Sequence, residues 1–426
     1  MSEVADLPSV YLPPSLRHKI NRIRGFRKNT LSQPSTVATQ FSANSQFKIL
    51  LPTRSLVDLG SLALQFQVTY TSAGGNVAPP RYIQGLFKKV ELLISNRSVA
   101  LASLNDYGSC YNALANVLFP STKQAELSLT EAGGEAPNAA VASGTVVTYM
   151  ITNWLGLFDG SITKYLPTSI LSPTVEIRFT LNDNNVLVLG SGTTSASYTV
   201  GSISLNTDVV SFDDDEYEKS LLRTWSRGDP VKLAFSDWYD FTSSGSAKAL
   251  NSTFSVSTGS LDSIWSVMRP LTYDSQGAVN AVSNTAGYYT FVSGVDTGNL
   301  NTTSATFQTT INSISYPQWP MDHYDAYGIL KTSALNVGSH PTYANSLTSF
   351  DQYLRGKFVW VTDLQFNERH GSSDLISSGL STENSTVPVV IKVAGTNMAS
   401  GFTVTSFVKT TSQLVVFSGE GVVLSP

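Results

Sequence analysis

The sequence predicts an all-β protein made of two tandem sandwiches, and three observations support this fold class. Charged residues make up only 14% of the 426 residues, which is typical of chains rich in strands and polar turns. Short segments of alternating apolar and polar residues recur along the chain, separated by turn residues. The second half also repeats the pattern of the first half in the same order. We therefore expect about eight strands in each sandwich, with short helices between some of them.

Length, charge and cysteine content restrict the classes of function. The chain is long enough for two domains that each have a core. Its formal net charge of −4 argues against binding of nucleic acid through the overall field. The single Cys110 excludes an intrachain disulfide framework. We expect neither a signal peptide nor a spanning helix, because the N-terminus has no basic segment before an apolar run and no apolar stretch reaches about 18 residues.

Residues 1–44 are predicted to form a basic N-terminal arm. Ser15 caps a short helix in this prediction, with an apolar stripe that runs from Leu16 to Ile23 or Phe26. Cations cover the rest of this segment: Arg17, Lys19, Arg22, Arg24, Arg27 and Lys28. Two interpretations stay open, since the helix either packs on its own domain or contacts an anionic surface such as lipid headgroups, nucleic acid or an acidic partner. The polar run 30–46 is predicted to be a flexible lead-in.

The first sandwich is predicted over residues 45–212. A period of two identifies its strands at 47–51, 62–70, 90–94, 146–151, 175–181 and 198–212. Apolar residues recur at helical spacing over 101–118, so we expect a helix that Pro120 ends. Residues 121–145 are polar and rich in Ala and Gly, which predicts a long surface loop.

The connector between the sandwiches is predicted at 213–230. It begins with the acidic run Asp-Asp-Asp-Glu at 213–216, and carboxylates suit a helix N-terminus because they cap free N–H groups and oppose the helix dipole. Gly228 and Pro230 then close the short helix. A metal site is the alternative use of these carboxylates, although no Gly-centred calcium-loop spacing follows them.

The second sandwich is predicted over residues 231–426. Strand patterns occur at 231–241, 254–256, 261–268, 288–292, 305–314, 357–366, 387–393, 402–409 and 414–417. We expect Pro317 and Pro320 to break the chain. A helix is predicted over 322–336, with Asp322 as its N-cap and Gly338 as its stop.

Two pairs of segments carry the internal repeat. The run Leu-Ser at 171–172, followed by a strand at 175–179, resembles Leu-Ser at 380–381, followed by a strand at 387–391. The closing strands Asp-Val-Val-Ser-Phe at 208–212 and Gln-Leu-Val-Val-Phe at 413–417 also match. The offset is about 210 residues in both comparisons, and each half has one helix upstream of the pair. Two matched sandwiches in tandem amount to a double jelly roll.

Three segments then carry a resemblance to a known family. They are Val-Val-Ser-Phe-Asp-Asp-Asp-Glu-Tyr-Glu at 209–218, Phe-Ser-Val-Ser-Thr-Gly-Ser-Leu-Asp-Ser-Ile-Trp-Ser-Val-Met-Arg at 254–269, and Ser-Gly-Leu-Ser-Thr at 378–382. The last differs from the family pattern because Ser381 replaces an acid. With these segments the chain resembles the double jelly-roll major capsid proteins of membrane-containing tailless phages, adenoviruses, virophages and nucleocytoplasmic large DNA viruses.

The resemblance implies a structural protein of the virion. Such proteins form homotrimers whose six rolls make a pseudo-hexagonal capsomer, and the capsomers assemble into an icosahedral shell. It implies contacts with neighbouring capsomers and with minor capsid or penton proteins. The loops at 121–145, 271–286 and 293–304 would face outwards. The basic arm, from Arg17 to Lys28, would lie at the inner face against membrane lipid, the genome or a minor protein.

No pattern in the sequence predicts catalysis, a cofactor or a bound metal ion. There is no nucleophile elbow, phosphate-binding loop or Cys-x-x-Cys pair. Asp322, His323 and Asp325 offer metal-ligand atoms, but adjacent residues rarely converge on a metal ion without a third partner, so a helix start with Asp322 as cap explains them better. The run Glu-Arg-His at 368–370 fits a surface turn better than an acid–base pair, and Cys110 fits a small core residue better than a nucleophile.

Two other functions remain open. A carbohydrate-binding or receptor-binding β-sandwich, such as a spike or fibre protein, would need exposed aromatic residues clustered on one sheet face. A glycan-active enzyme built on jelly rolls would need paired carboxylates facing a groove. Neither alternative explains a basic amphipathic arm followed by two matched sandwiches.

Overall fold

A computed structural model describes most of the chain. The described residues are 26–35, 40–53, 55–119, 127, 130–131, 140–160, 162–171, 174–190, 192–212, 230–245, 249–274, 287–292, 305–337, 350–367, 377–383, 390–396, 401–417 and 421–425. The connector predicted at 213–230 and the helix predicted at Ser15 therefore lie outside the described residues, apart from Pro230.

The described residues of the first half form thirteen strands and two helices. The strands are β1 (Phe26–Pro34), β2 (Gln40–Ser42), β3 (Gln46–Leu50), β4 (Leu56–Asp58), β5 (Ala63–Ala73), β6 (Val77–Ala78), β7 (Phe87–Ile94), β8 (Arg97–Ala100), β9 (Val146–Ile151), β10 (Tyr165–Pro167), β11 (Val175–Leu181), β12 (Val188–Leu189) and β13 (Ser195–Phe212). The helices are α1 (Tyr107–Leu118) and the single turn α2 (Thr168–Leu171). Short 3-10 turns occur at Leu59–Ser61, Ile83–Leu86, Gly156–Asp159 and Asn184–Val186.

In the second half, the part of the chain that the structure describes forms eleven strands and two helices. The strands are β14 (Val231–Gly245), β15 (Leu250–Ser255), β16 (Leu261–Pro270), β17 (Thr306–Ile311), β18 (Ile314–Met321), β19 (Val359–Asp363), β20 (Phe366–Asn367), β21 (Ser377–Ser378), β22 (Val390–Thr396), β23 (Phe402–Phe417) and β24 (Gly421–Ser425). The helices are α3 (His323–Val337) and α4 (Phe350–Gly356), and a 3-10 turn spans Leu271–Asp274.

Each half forms two large antiparallel sheets whose main strands have the same order, and one small two-stranded sheet. In the first half, β1 and β2 lie beside β13, followed by β5 and β9, while the other sheet runs β3–β11–β7–β8. In the second half the larger sheet runs β14–β23–β16–β19 and the smaller sheet β15–β22–β17–β18. Each of the eight main strands in one half therefore has a counterpart in the other, including β13 with β23 and β11 with β22. The two tandem jelly rolls predicted from the sequence are confirmed.

The cores follow from the alternation along the strands. In β11 the side chains alternate between buried and half-buried positions, so that one face of the strand meets the opposite sheet. Phe179 of β11 stacks on Phe47 of β3 with ring centroids 5.0 Å apart. The second roll is filled by larger aromatic residues, among which Trp265 and Trp360 are fully buried.

The N-terminal part differs from the prediction. Residues 30–46 were expected to be a flexible lead-in, but β1 pairs with β13 from Phe26–Phe212 to Pro34–Ser204, and β2 continues along the same strand. These two strands hold in the first roll the place that β14 holds in the second. Their polar composition hides them in the sequence, because a strand at the edge of a sheet needs few apolar residues.

Several predicted elements of the second roll also change. Pro317 and Pro320 lie inside β18, at the point where its pairing with β17 shifts register. Among the described strands β18 pairs with β17 alone, so its other edge needs no N–H donors and the strand continues past the prolines. The strand predicted at 288–292 is a turn with one isolated bridge, from Phe291 to Lys357. The segments 402–409 and 414–417 form one continuous strand, β23. Helix α3 starts as predicted, since Asp322 accepts hydrogen bonds from the backbone N–H groups of Tyr324 and Asp325 at 2.8 Å each.

Candidate functional site

The predicted inner-face cations are divided by the structure. Arg17, Lys19, Arg22 and Arg24 lie outside the described residues. Arg27 and Lys28 are exposed residues of β1, within a sheet and not on the predicted helix. The Lys28 ammonium lies 2.7 Å from the Asp208 carboxylate on β13, and Thr30 donates a hydrogen bond to the same carboxylate at 2.6 Å. These contacts lower the pKa of Asp208 and raise the pKa of Lys28. Lys28 therefore helps to hold β1 on the sheet.

The two rolls meet at a joint along β14. This strand of the second roll lies against the segments of the first roll that follow β8 and β9, including the 3-10 turn Gly156–Asp159. The Asp237 carboxylate accepts a hydrogen bond from the Leu101 N–H at 2.9 Å. The Asp240 carboxylate accepts from the backbone N–H and the side-chain amide of Asn105, the latter at 3.3 Å. Thr163 donates to the Ala234 carbonyl at 2.7 Å. The whole middle of β14 is thus tied to the first roll.

Burial at the joint changes the properties of its carboxylates. Asp237 is 2% exposed, and this burial raises its pKa to about 6 although two backbone N–H groups, those of Leu101 and Trp238, donate to it. Burial also raises the pKa of Asp240. The sequence analysis did not single out these residues. The signal that could have identified them is the presence of two aspartates on a predicted strand that also contains Phe235 and Trp238.

Gly156 permits the close approach of the two rolls. It adopts a positive φ of 67° at the start of the 3-10 turn after β9. A Cβ atom at this position would lie 3.0 Å from the Ser236 carbonyl oxygen of β14 and 2.6 Å from a methyl carbon of Leu101. Both the backbone conformation and the space at the joint therefore require glycine.

Tyr289 makes a second contact between the rolls, near α1. Its ring is buried against the first roll, where its hydroxyl donates to the Gly85 carbonyl at 2.6 Å and accepts from the Asn182 amide at 3.0 Å. Burial raises its pKa well above the usual value, so the hydroxyl stays protonated and able to donate. A Cβ atom at Gly85 or Gly108 would collide with this side chain. The Tyr289 side chain is thus closely packed among residues of the first roll.

The joint has a direction, because it uses different edges of the two rolls. We call the edge with β1, β2 and β3 the B edge of the first roll, and its counterpart with β14 and β15 the B edge of the second. The opposite edge, with β8 and β9 or with β18 and β19, is the F edge. In both rolls the strands of the B edge contact each other. The joint places the segments that follow β8 and β9 of the first roll against β14, on the B edge of the second roll, which is a head-to-tail arrangement.

Exposed apolar side chains mark the free F edge of the second roll. Trp319 near the end of β18 is 54% exposed and Tyr324 in the first turn of α3 is 66% exposed. The Trp319 indole donates to Asp325 at 3.3 Å, and the Tyr324 ring stacks on Phe350 with centroids 4.6 Å apart. Ile314 on β18 is also exposed, as are Val146 and Met150 on β9, and the other exposed large apolar residues are Ile162, Tyr165, Leu271, Val390 and Phe417.

The predicted outer loops are only partly described. Residues 275–286 and 293–304 lie outside the described residues. Within the loop predicted at 121–145, Glu131 is fully buried, contrary to the expectation of a surface loop. Its carboxylate accepts hydrogen bonds from Gln84, from the Thr152 N–H at 2.8 Å and from the Asn153 amide at 3.1 Å. These bonds anchor one point of the loop to the body of the first roll.

The remaining chemical candidates have structural explanations. Cys110 is buried in α1 and its pKa is raised by burial, which makes the thiol a poor nucleophile. His323 is buried against the rings of Phe307 and Phe358. Across the described residues, no three His, Cys, Asp or Glu side chains gather where they could hold a metal ion. The run at 368–370 lies outside the described residues. Among the described helices, none combines the length and apolar character needed to cross a membrane.

Comparison with known proteins gives matches at the level of structure. No family profile and no curated protein sequence matches the chain. The PBCV-1 protein VP54, fitted into a reconstruction of the virophage Sputnik, is 12% identical and superposes with a TM-score of 0.61 over 97% of this chain and 99% of its own. The Faustovirus major capsid protein is 9% identical with a TM-score of 0.62, over 95% and 93% of the two chains. The mavirus major capsid protein is 10% identical with a TM-score of 0.50, over 100% and 96%.

Identities this low carry information about the fold and not about individual residues. The matches nevertheless extend over both rolls and over almost the full length of each partner. The chain therefore has the double jelly-roll fold of viral major capsid proteins, the family that its sequence resembles.

Proposed function

We propose that the chain is the major capsid protein of a virus, which trimerises into pseudo-hexagonal capsomers and assembles into an icosahedral shell. The observation that carries this proposal is the head-to-tail joint between two matching jelly rolls. The two similar jelly rolls already contact each other head to tail within one chain. If copies of the chain make the same kind of contact, they form a ring. The fold shared with the capsid proteins of Faustovirus and mavirus agrees with this function.

The proposal also assigns a domain or a role to each part of the chain. The first roll extends to residue 212 and includes β1 and β2, residues 213–230 connect the rolls, and the second roll starts at 231. Residues 1–25, with Arg17, Lys19, Arg22 and Arg24, face the inside of the shell and contact membrane lipid, the genome or a minor protein. Minor capsid or penton proteins are further partners. The protein resides in the virion and has a structural, non-enzymatic role without a cofactor.

The test is the mass of the purified protein in solution, followed by negative-stain imaging. A trimer has three times the 45.8 kDa mass of the chain, and its particles should show a six-cornered outline. A monomer at every accessible concentration would contradict the proposal.

A carbohydrate-binding or receptor-binding spike protein is the second candidate. The observation in its favour is the exposed pair Trp319 and Tyr324, since exposed aromatic rings stack on sugars. Screening the protein against immobilised glycans distinguishes the two functions. Specific glycan binding by a monomer would favour the spike, whereas a trimer without glycan binding favours the capsid protein.

A further inference from the structure

Strand β24 at the end of the chain has one edge that pairs with no other described strand. Its other edge pairs with β23. The first roll has a short strand in the same place, because β4 pairs with the end of β13 through Val57 and Val209. The far edge of β4, however, is covered by β10, with Leu166 opposite Val57. Among the described residues, the second roll therefore lacks the strand that completes this end of the sheet in the first roll.

The repeat between the two rolls gives this correspondence residue by residue. The closing segments of the two rolls match, and their alignment places Leu414 where Val209 lies. Leu424 is opposite Leu414 on β24, just as Val57 is opposite Val209 on β4. Both short strands lie on the side of the long strand that is away from β1 or β14. Strand β24 is thus the counterpart of β4, and its free edge is the place of β10.

The N-terminal arm contains a second copy of the β10 sequence. Strand β10 and the turn after it read Tyr-Leu-Pro-Thr-Ser-Ile at 165–170, and the arm reads Tyr-Leu-Pro-Pro-Ser-Leu at 11–16. In β10, Leu166 is fully buried whereas Tyr165 is 39% exposed. The match is short, and it gains its weight because the segment that it copies covers the counterpart of the free edge. An added strand is recognised by backbone hydrogen bonds and by alternate side chains, and the arm repeats both side-chain positions.

The prolines of the two segments fit the hydrogen-bond pattern of such an edge. Backbone hydrogen bonds flank β10 on both sides, at Lys164 and at Thr168. Because hydrogen-bonded positions alternate in an antiparallel pair, Leu166 lies at one of them, midway between the two, and Pro167 lies at a position that needs no N–H. Pro13 has the place of Pro167 in the arm, so this proline is compatible with strand pairing.

We propose that residues 11–13 of the arm add a strand to the free edge of β24 in the same chain, with Leu12 opposite Leu424. The two leucines exchange a pair of hydrogen bonds, and the Leu12 side chain covers the end of the core that Leu166 covers in the first roll. Pro14 has no N–H and ends the strand. The capsid function leaves the attachment of the arm open, and this inference supplies it without depending on the number of copies.

The pairing also directs the basic segment that follows it. Since the arm runs antiparallel to β24, it leads towards Gly421, which is opposite Phe417 at the end of β23. Phe417 is 39% exposed. The helix predicted from Ser15 then starts beside this ring, and its apolar stripe from Leu16 to Ile23 has an apolar surface on which to pack. The cations of the arm are thereby held at one end of the second roll.

The arm is long enough to reach β24 of its own chain. From β1, neighbouring segments lead through β13, β4, β10, β14 and β23 to β24, since Thr163 beside β10 donates to Ala234 of β14. At about 4.8 Å for each step, this path to the free edge is about 35 Å long, and the twist of the sheets makes the direct distance shorter. The 13 residues between Leu12 and Phe26 span about 40 Å when extended. The pairing therefore needs no second copy of the chain.

A disulfide tests the pairing and its register. Tyr11 and Ser425 face each other at a position without hydrogen bonds, where Cα atoms are about 4.5 Å apart and a disulfide fits. Tyr11→Cys with Ser425→Cys should therefore oxidise to a cross-link within one chain, which mass spectrometry of the linked peptides identifies. Tyr11→Cys with Gly421→Cys is the register control, because Gly421 lies about 13 Å further along β24. Cys110 is buried and does not compete.

Hydrogen exchange tests the pairing without new cysteines. The Leu424 N–H lies on the free edge of β24, as the Val57 N–H lies on the edge that β10 covers, so the arm should protect it. Leu12→Asp puts a carboxylate at the buried position and should speed exchange of this amide by roughly 10-fold or more. Tyr11→Asp is the matched control and should leave the exchange unchanged, because the corresponding Tyr165 is 39% exposed. Release of the arm leaves the body folded, so the melting temperature should not change.

The outcomes separate this inference from the proposed function. Equal exchange in Leu12→Asp and the wild type overturns the pairing, as does the absence of a cross-link to Ser425→Cys or an equal cross-link to Gly421→Cys. A cross-link found only between chains overturns the pairing within one chain. A monomeric protein with the expected cross-link and exchange keeps this inference and contradicts the capsid proposal, whereas a trimer without them does the opposite.

Discussion

The Asp237 carboxylate accepts a hydrogen bond from the Leu101 backbone N–H at 2.9 Å, across the joint between the two jelly rolls. The bond fixes the middle of β14 against the first residue after β8. Its strength depends on a carboxylate that is almost fully buried, so the position of one roll on the other is linked to the ionisation of a single side chain.

The contribution of Asp237 to stability should be larger at pH 4 than at pH 7. Burial raises its folded-state pKa to about 6 from 3.8, so between these values the folded state binds more protons than the unfolded state. The free energy of unfolding therefore falls as the pH rises through this window, by up to about 3 kcal/mol, and stays constant above it. Chemical denaturation at fixed protein concentration from pH 4 to pH 7 measures the effect, and Asp237→Asn should remove it.

Asp208→Asn is the control of opposite sign. The pKa of Asp208 is lowered by the side chains of Lys28 and Thr30, so its contribution is present above its unfolded-state pKa and is lost as the pH falls through the folded value. Parallel pH curves for the wild type and Asp237→Asn would show that Asp237 does not titrate in this window.

Gly156→Ala should loosen the joint between the rolls. Alanine at a φ of 67° costs about 1–2 kcal/mol, and its Cβ would in addition press against Ser236 and Leu101. Gly144→Ala is the matched control, because Gly144 has a φ of 84° but no atom within 4 Å of the added Cβ. We expect Gly156→Ala to lower the free energy of unfolding by roughly 1–3 kcal/mol more than the control does. Equal losses in the two variants would mean that the joint can accommodate a Cβ atom at Gly156 without further cost.

The alternation of apolar residues predicted much of this fold. The predicted strands at 146–151 and 175–181 coincide with β9 and β11, because both strands bury one face under the opposite sheet. The repeat also located counterparts correctly, since the matched segments became β11 with β22 and β13 with β23. The alternation of apolar residues and the order of the matched segments both follow from which strand faces are buried. Burial requires apolar residues at fixed positions, so it can be recognised in the sequence.

The edges of the sheets and the joint between the rolls leave much weaker patterns in the sequence. Strands β1 and β2 are polar because one side faces solvent, so their composition resembles that of a linker. Strand β18 tolerates Pro317 because the residue lies at a register shift, in a strand that pairs on one side among the described residues. The joint depends on Asp237, Asp240 and Tyr289, which act through contacts with residues more than a hundred positions away in the chain. No local pattern in one sequence identifies such partners.

Glu131 should act as the anchor of the loop that joins α1 to β9. Glu131→Ala would leave the buried Gln84 amide without its acceptor, and would also remove the acceptor of the Thr152 N–H and the Asn153 amide, which water can reach. A buried unsatisfied donor costs about 1–3 kcal/mol, so we expect a loss of this size in the free energy of unfolding. Glu131→Gln keeps one acceptor oxygen and the shape, and should lose less. A loss below about 0.5 kcal/mol for Glu131→Ala would show that water or relaxation replaces the carboxylate.

The basic arm can be separated from the body only before Phe26. A deletion of residues 1–28 would remove the first three residues of β1 and the Lys28–Asp208 pair, so loss of folding would say nothing about the arm. Deletion of 1–25 leaves every described strand intact. We expect that this variant keeps the melting temperature and the oligomeric state of the full chain but fails to close shells or to attach to lipid or nucleic acid.

Deletion of residues 1–34 is the matched control for this experiment. It strips β1 from β13 and exposes the edge of a long strand, so it should lower the melting temperature and promote aggregation. Thermal unfolding and light scattering compare the two variants, and co-sedimentation with anionic vesicles and with DNA follows the arm itself. Unchanged sedimentation and normal shells after deletion of 1–25 would refute an inner-face role for Arg17, Lys19, Arg22 and Arg24. The alternative interpretation of the amphipathic pattern would then apply, in which the helix packs on its own domain and its cations only face solvent.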